Sequence, residues 1–93
     1  MLEVKLNFRD TDAGEYPEKS MQVMAVRVWA DGCMISVANL DYSHRHKAFN
    51  SFDGYTKKQA EKYAIKSVRY WLPMEEFEAA IHAAWGGLNE HET

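Results

Sequence analysis

The strongest constraint on this chain is the pair Asp31-Gly32, set between two apolar runs, Met21 to Ala30 and Cys33 to Leu40. An Asp-Gly pair supplies the backbone geometry of a two-residue hairpin turn and makes the two runs antiparallel neighbours. Such a turn places Ala30 opposite Cys33, Val28 opposite Ile35 and Val26 opposite Val37. These side chains share one face, the expected core. The other face carries Val23, Ala25, Arg27, Trp29, Met34, Ser36, Ala38 and Leu40. It is too apolar for a freely solvated face, so a helix or a partner is expected to cover it.

Further strands are expected on either side. Leu2, Val4, Leu6 and Phe8 alternate with Glu3, Lys5, Asn7 and Arg9, the period of a strand with one buried face. The acidic stretch Asp10 to Lys19, broken by Gly14 and Pro17, reads as a solvated loop. Its oxygen ligands lack the regular spacing of a calcium loop. Asp41 to His46 reads as a second loop, and Lys47 to Phe52 as a short fourth strand.

Two helices follow. Asp53-Gly54 is a turn signal, and Thr56 with Gln59 forms the T-x-x-Q pattern of a capping box. From Thr56 to Trp71, the positions Ala60, Tyr63, Ala64, Ser67, Val68 and Trp71 recur at helical spacing. Lys58, Lys62, Lys66 and Arg69 fall on the opposite face. That stripe is either a solvated face whose stems cover apolar surface or a landing strip for phosphates or an acidic protein. After Pro73, which suits a first helical turn, Glu75 and Glu76 sit where the helix dipole favours acids. Met74, Phe77, Ala80, Ile81, Ala84, Trp85 and Leu88 supply an apolar stripe. Gly86-Gly87 is the expected stop, with Leu88 folding back. The fold class is therefore α+β, one domain over residues 1–93, with an antiparallel sheet of three or four strands and two helices.

Charge is segregated along the chain. Residues 1–43 carry a net −3, residues 44–69 a net +5 and residues 70–93 a net −5, within a total of −3. The single cysteine, Cys33, excludes an intrachain disulfide and a cysteine-rich zinc site, and fits a reducing compartment. The N-terminus has the pattern of neither a signal peptide nor a membrane anchor.

Candidate chemistry is sparse. His44 and His46 would share a face on a strand and could hold a metal with Asp41 or Cys33, but no second spaced pair completes a site. Cys33 with a histidine is the minimum for a thiol nucleophile; a small buried hydrophobe at the sheet end is the simpler account. There is no phosphate-binding glycine loop, metalloprotease helix or nucleophile elbow, and no cofactor is called for. Trp29, Tyr42 and Tyr70, flanked by Arg27, Arg45 and Arg69, would suit a protein interface or base stacking.

The segment Phe52 to Ala60, F-x-G-Y-T-K-K-Q-A, resembles a strand–turn–helix opening of small phage and mobile-element proteins. With its size, mild acidity, hairpin-rich sheet and lack of catalytic motifs, the chain resembles anti-CRISPR proteins, especially inhibitors of type I surveillance complexes. That resemblance implies a non-enzymatic inhibitor in the cytoplasm of a bacterial host. Its partner would be a protein or ribonucleoprotein of the defence machinery, without membrane contact, engaged as a monomer or homodimer. Partner-binding residues are expected at Lys58, Lys62, Lys66, Arg69, Trp29, Tyr42 and Arg45. The alternative is a small nucleic-acid-binding accessory protein using the basic helix face.

Overall fold

The computed structural model describes residues 1–92, with side chains through Gly87. Five antiparallel strands and two helices make an α+β fold, one strand more than the largest number expected. The strands are β1 (Arg9–Asp10), β2 (Met21–Val28), β3 (Met34–Ser43), β4 (Ala48–Asn50) and β5 (Val68–Pro73). The helices are α1 (Lys57–Lys62) and α2 (Met74–Glu92). The sheet order is β1-β5-β2-β3-β4.

The hairpin forms, with a longer turn than expected. Gly32 N–H donates to the Trp29 carbonyl at 2.9 Å, and Trp29 N–H donates to the Cys33 carbonyl at 2.8 Å. The loop is thus Ala30-Asp31-Gly32, and Gly32 takes the left-handed position at φ 89. The Asp31 carboxylate accepts from Cys33 N–H at 2.9 Å and closes the turn. Val26 lies opposite Val37 as expected, but a bulge follows and Val28 faces Met34.

The core lies on the face that the alternation had assigned to the outside. Val23 and Ala25 are 0% exposed and Leu40 and Tyr42 4%, whereas Val37 is 53% exposed. What decides this is the supply of large partners. Phe49 from β4 and Trp71 from β5 join Val23, Ala25, Leu40, Tyr42 and Val68 in one cluster. The acidic loop is not simply solvated. It packs at this core: Pro17 is buried, the Tyr16 ring lies 6.4 Å from Phe49, and Trp71 Nε1 donates to the Glu15 carbonyl at 2.8 Å. A 3₁₀ turn at Thr11–Ala13 starts the loop, and Thr11 Oγ1 donates to the Val68 carbonyl at 2.8 Å.

The long central helix is the largest correction. Its start is as expected: the Thr56 hydroxyl accepts from Gln59 N–H at 3.3 Å, and Gln59 Oε1 accepts from Thr56 N–H at 3.0 Å. The helix ends at Lys62, and residues 68–73 form β5, paired with β1 on one side and β2 on the other. Val68, Tyr70 and Trp71 are branched or aromatic and suit a pleated, half-buried surface. In a helix one face would be buried; as an inner strand β5 buries both Trp71 at 4% and Leu72 at 1% exposure. Replacing Thr56 with alanine should cost about 1 kcal/mol through the lost cap, read as a shift in the urea midpoint. No shift would mean that α1 adds nothing to stability.

Residues 1–8 join no strand, despite their alternation. The register explains it. Arg9 lies opposite Trp71, so continuing the ladder would set Asn7 against Pro73, which has no N–H, and the preceding residues against the helix that starts at Met74. α2 packs against β2 and β5. Arg9 grips its first turn, donating to both Glu76 carboxylate oxygens at 2.6 and 2.7 Å. Gly86-Gly87 does not stop the helix, which continues to Glu92. Neither glycine adopts the positive φ of a helix terminator. The expected fold-back of Leu88 lies outside the described side chains.

Candidate functional site

The fold disperses the seven expected partner-binding residues. Lys58 and Lys62 lie on α1, four residues apart, and share its exposed side. Lys66 follows in the link to β5. Arg69 belongs to the strand and is neutralised: its guanidinium meets the Asp10 carboxylate at 2.8 Å and that of Asp12 at 3.0 Å. The hydrogen bond from Arg69 holds the Asp10 carboxyl below its ordinary range. The expected basic helix face therefore does not exist, because β5 replaces the second half of that helix. Segregated charge in the sequence becomes paired charge here, and again at Arg9 and Glu76.

Tyr42 is a core residue, 4% exposed, with its ring 4.8 Å from that of Phe49. Burial pushes its phenol pKa up, with Tyr16 adding to the effect. Asp41 to Ser43 extend β3 rather than forming a loop, and the turn to β4 is His44 to Lys47, with Lys47 at φ 53. Arg45 is exposed on that turn.

Of the two expected aromatic residues, Trp29 is the one that is exposed. It is 61% exposed beside the hairpin turn, with Met34 at 63% and Val37 at 53%. It lines a cleft of about 520 Å³ together with Arg27, Lys66 and Arg69. Three of the expected residues, Trp29, Lys66 and Arg69, thus meet at one place through sheet topology. Arg27 is fixed there by a 2.8 Å hydrogen bond to Ser67 Oγ.

A second cleft, of about 600 Å³, opens where the far ends of β2 to β4 meet the turn before α1. Asp41, Asn50, Asp53, Phe52 and Tyr55 line it, with Arg45 and His46. Of the first five, only Asp41 is a candidate from sequence, as a metal ligand beside His44 and His46; Asn50, Asp53, Phe52 and Tyr55 are not. Asp41 and Asn50 meet through cross-strand register, which has no local signature in sequence, and Phe52, Asp53 and Tyr55 reach the cleft on the segment before α1.

Cys33 is exposed at the hairpin tip, not buried. His44 and His46 follow the opposite end of β3, a strand of ten residues, so roughly 30 Å of extended chain separates thiol and imidazoles. The His44 ring nitrogen Nε2 lies 3.0 Å from Lys47 Nζ. Among the described residues no group of three or more His, Cys, Asp or Glu side chains could hold a metal, and no helix is long and apolar enough to cross a membrane. Comparison with protein-family models, curated proteins and solved structures finds no match to this chain.

Proposed function

We propose that the protein is a non-enzymatic binding protein, an anti-CRISPR-like inhibitor that engages a bacterial surveillance complex through the tip of its β2–β3 hairpin. The observation that carries this reading is the exposure of Trp29 beside Arg27 and Lys66, with Met34 exposed on the neighbouring strand. Aromatic, Met and Arg side chains are enriched at protein interfaces, and exposed tryptophans serve as anchors there. The cationic rim favours an acidic surface on the partner. A nucleic-acid reading drew its support from four cations on one helix face, and the fold does not assemble them.

The test is inhibition of a purified type I surveillance complex, with co-elution of the two. The wild-type chain is expected to bind and to block target-DNA binding or cleavage. Trp29→Ala should lose about 2 kcal/mol of binding, roughly thirtyfold, while its melting temperature stays close to that of wild type. Absence of binding by the wild-type chain overturns the reading. Salt-sensitive retention of bare labelled DNA would replace it with the nucleic-acid alternative. Unfolding of Trp29→Ala would return that residue to a structural role.

A further inference from the structure

The second cleft sets the carboxylates of Asp41 and Asp53 and the amide of Asn50 alongside the donors Gln22, Arg45 and His46. Across β2, β3 and β4 the register sets Gln22 opposite Asp41 and Asp41 opposite Asn50, so three polar side chains form one row on one face of the sheet. Asn50 is 2% exposed. Its Nδ2 donates to the Ala60 carbonyl at 3.2 Å, which fixes the amide so that Oδ1 points the other way. From the described residues that oxygen accepts no hydrogen bond. Among the described residues no sealed side-chain nitrogen or oxygen lacks a partner, so Oδ1 is open to the cleft that Asn50 lines.

Two carboxylates stand beside it. Asp41 is half-buried and Asp53 exposed, and neither has an ion-pair partner among the described residues. Burial raises the Asp41 pKa, and the charge of Asp53 raises it further. The Asp53 charge thus disfavours that of Asp41, and no cation is paired with either among the described residues. Arg45 and His46 line the same cleft but reach neither carboxylate. Phe52 and Tyr55 form an aromatic wall, with centroids 5.2 Å apart in an edge-to-face pair. Gly54 makes room for it: a Cβ there would lie 2.6 Å from the Phe52 ring.

We infer that this cleft binds a guanidinium group, with Asp41, Asp53 and Asn50 Oδ1 as acceptors and Phe52 and Tyr55 as the stacking wall. Two carboxylates and an amide oxygen with no cation paired to them favour a ligand that brings donors and positive charge. A guanidinium is planar, carries five donors in a fixed fork and is weakly hydrated, so it can satisfy carboxylates while stacking on aromatic rings. An ammonium meets the charge but is compact and strongly hydrated, and gains less from the wall. The group comes either from an arginine side chain of a polypeptide or from a free small guanidine. The inference is independent of the hairpin-tip surface, which lies at the other end of β3.

The experiment is a ¹H–¹⁵N NMR titration of the whole chain with N-acetyl-arginine methylamide. Parallel arms use agmatine, the lysine analogue, the neutral citrulline analogue and inorganic phosphate. Saturable shifts are expected at the Asn50 side-chain amide and at the Asp53 to Tyr55 backbone. Citrulline should bind about tenfold more weakly or worse, since a hydrogen bond to a charged group is worth about 1.5–3 kcal/mol. Asp41→Asn should weaken the arginine probe by a similar factor. If Asp41→Asn does not fold, Asp53→Asn on the exposed turn serves instead. Tighter binding of the arginine amide than of agmatine identifies a polypeptide source, and equal or tighter agmatine binding a free guanidine; both support the inference. It is overturned by absence of saturation, by equal response to citrulline, by phosphate or lysine binding more tightly, or by undiminished binding in a folded acid-to-amide variant.

Discussion

Replacing Trp71 with alanine is expected to cost about 3–5 kcal/mol, the range for truncating a buried aromatic. A chain of this length has only about 5–14 kcal/mol of stability to lose, so the variant should melt far below wild type or fail to fold. Three losses combine. The ring is 4% exposed among Val23, Ala25, Leu40, Tyr42, Phe49 and Val68, and its removal leaves a cavity that β5, held from both sides, cannot close. The Glu15 carbonyl loses the 2.8 Å bond from Nε1 that tethers the acidic loop. The Arg9 guanidinium, 5.6 Å above the ring, loses its platform. Trp71→Phe keeps most of the ring without the N–H, and should recover all but about 1–2 kcal/mol. Urea unfolding followed by circular dichroism measures both. A loss under about 1 kcal/mol for Trp71→Ala would show that this face is not a sealed core.

Leu72→Ala tests the other side of the same strand, with an expected cost of about 2–5 kcal/mol. Leu72 alternates with Trp71, lies opposite Met24 and is 1% exposed, yet it does not belong to the Trp71 cluster. Something must cover that second face, and α2 is the helix that packs on β2 and β5. The same urea measurement applies. A cost near zero would mean that α2 does not seal the face, and that the sheet is stabilised from one side only.

The parts of this fold that were legible in sequence are those whose cause is local. Asp31-Gly32 announces a reversal, Thr56 with Gln59 announces a helix start, and Glu75 and Glu76 mark another. Each works through residues within a few positions of one another. β5 was misread because its apolar residues also fit a helical period and follow directly on a genuine capping box; the branched and aromatic run from Val68 to Trp71 was the overlooked signal. The core face was misread because both faces of the hairpin are apolar, and the choice rests on Phe49 and Trp71, which arrive from distant segments. The second cleft was invisible for the same reason. Asp41 and Asn50 are nine positions apart in sequence and direct neighbours only across a ladder. Trp29 was legible as an aromatic without a secure place inside, and it is exposed.

The strand order β1-β5-β2-β3-β4 sets a sequence of events in time. The last strand of the chain lies between the first two, so β1 has no neighbour until β5 has docked. β2 and β3 can zip through a short turn at small entropic cost, whereas β5 must close the long stretch that separates it from β2. A nascent chain emerging from the ribosome would thus display a finished hairpin whose apolar faces wait for Trp71 and Leu72. Stopped-flow refolding reads this order. Core substitutions within β2 and β3 are expected to slow refolding, while substitutions at Arg9 or Thr11 accelerate unfolding and leave refolding unchanged. The opposite pattern would put β1 at the start of folding.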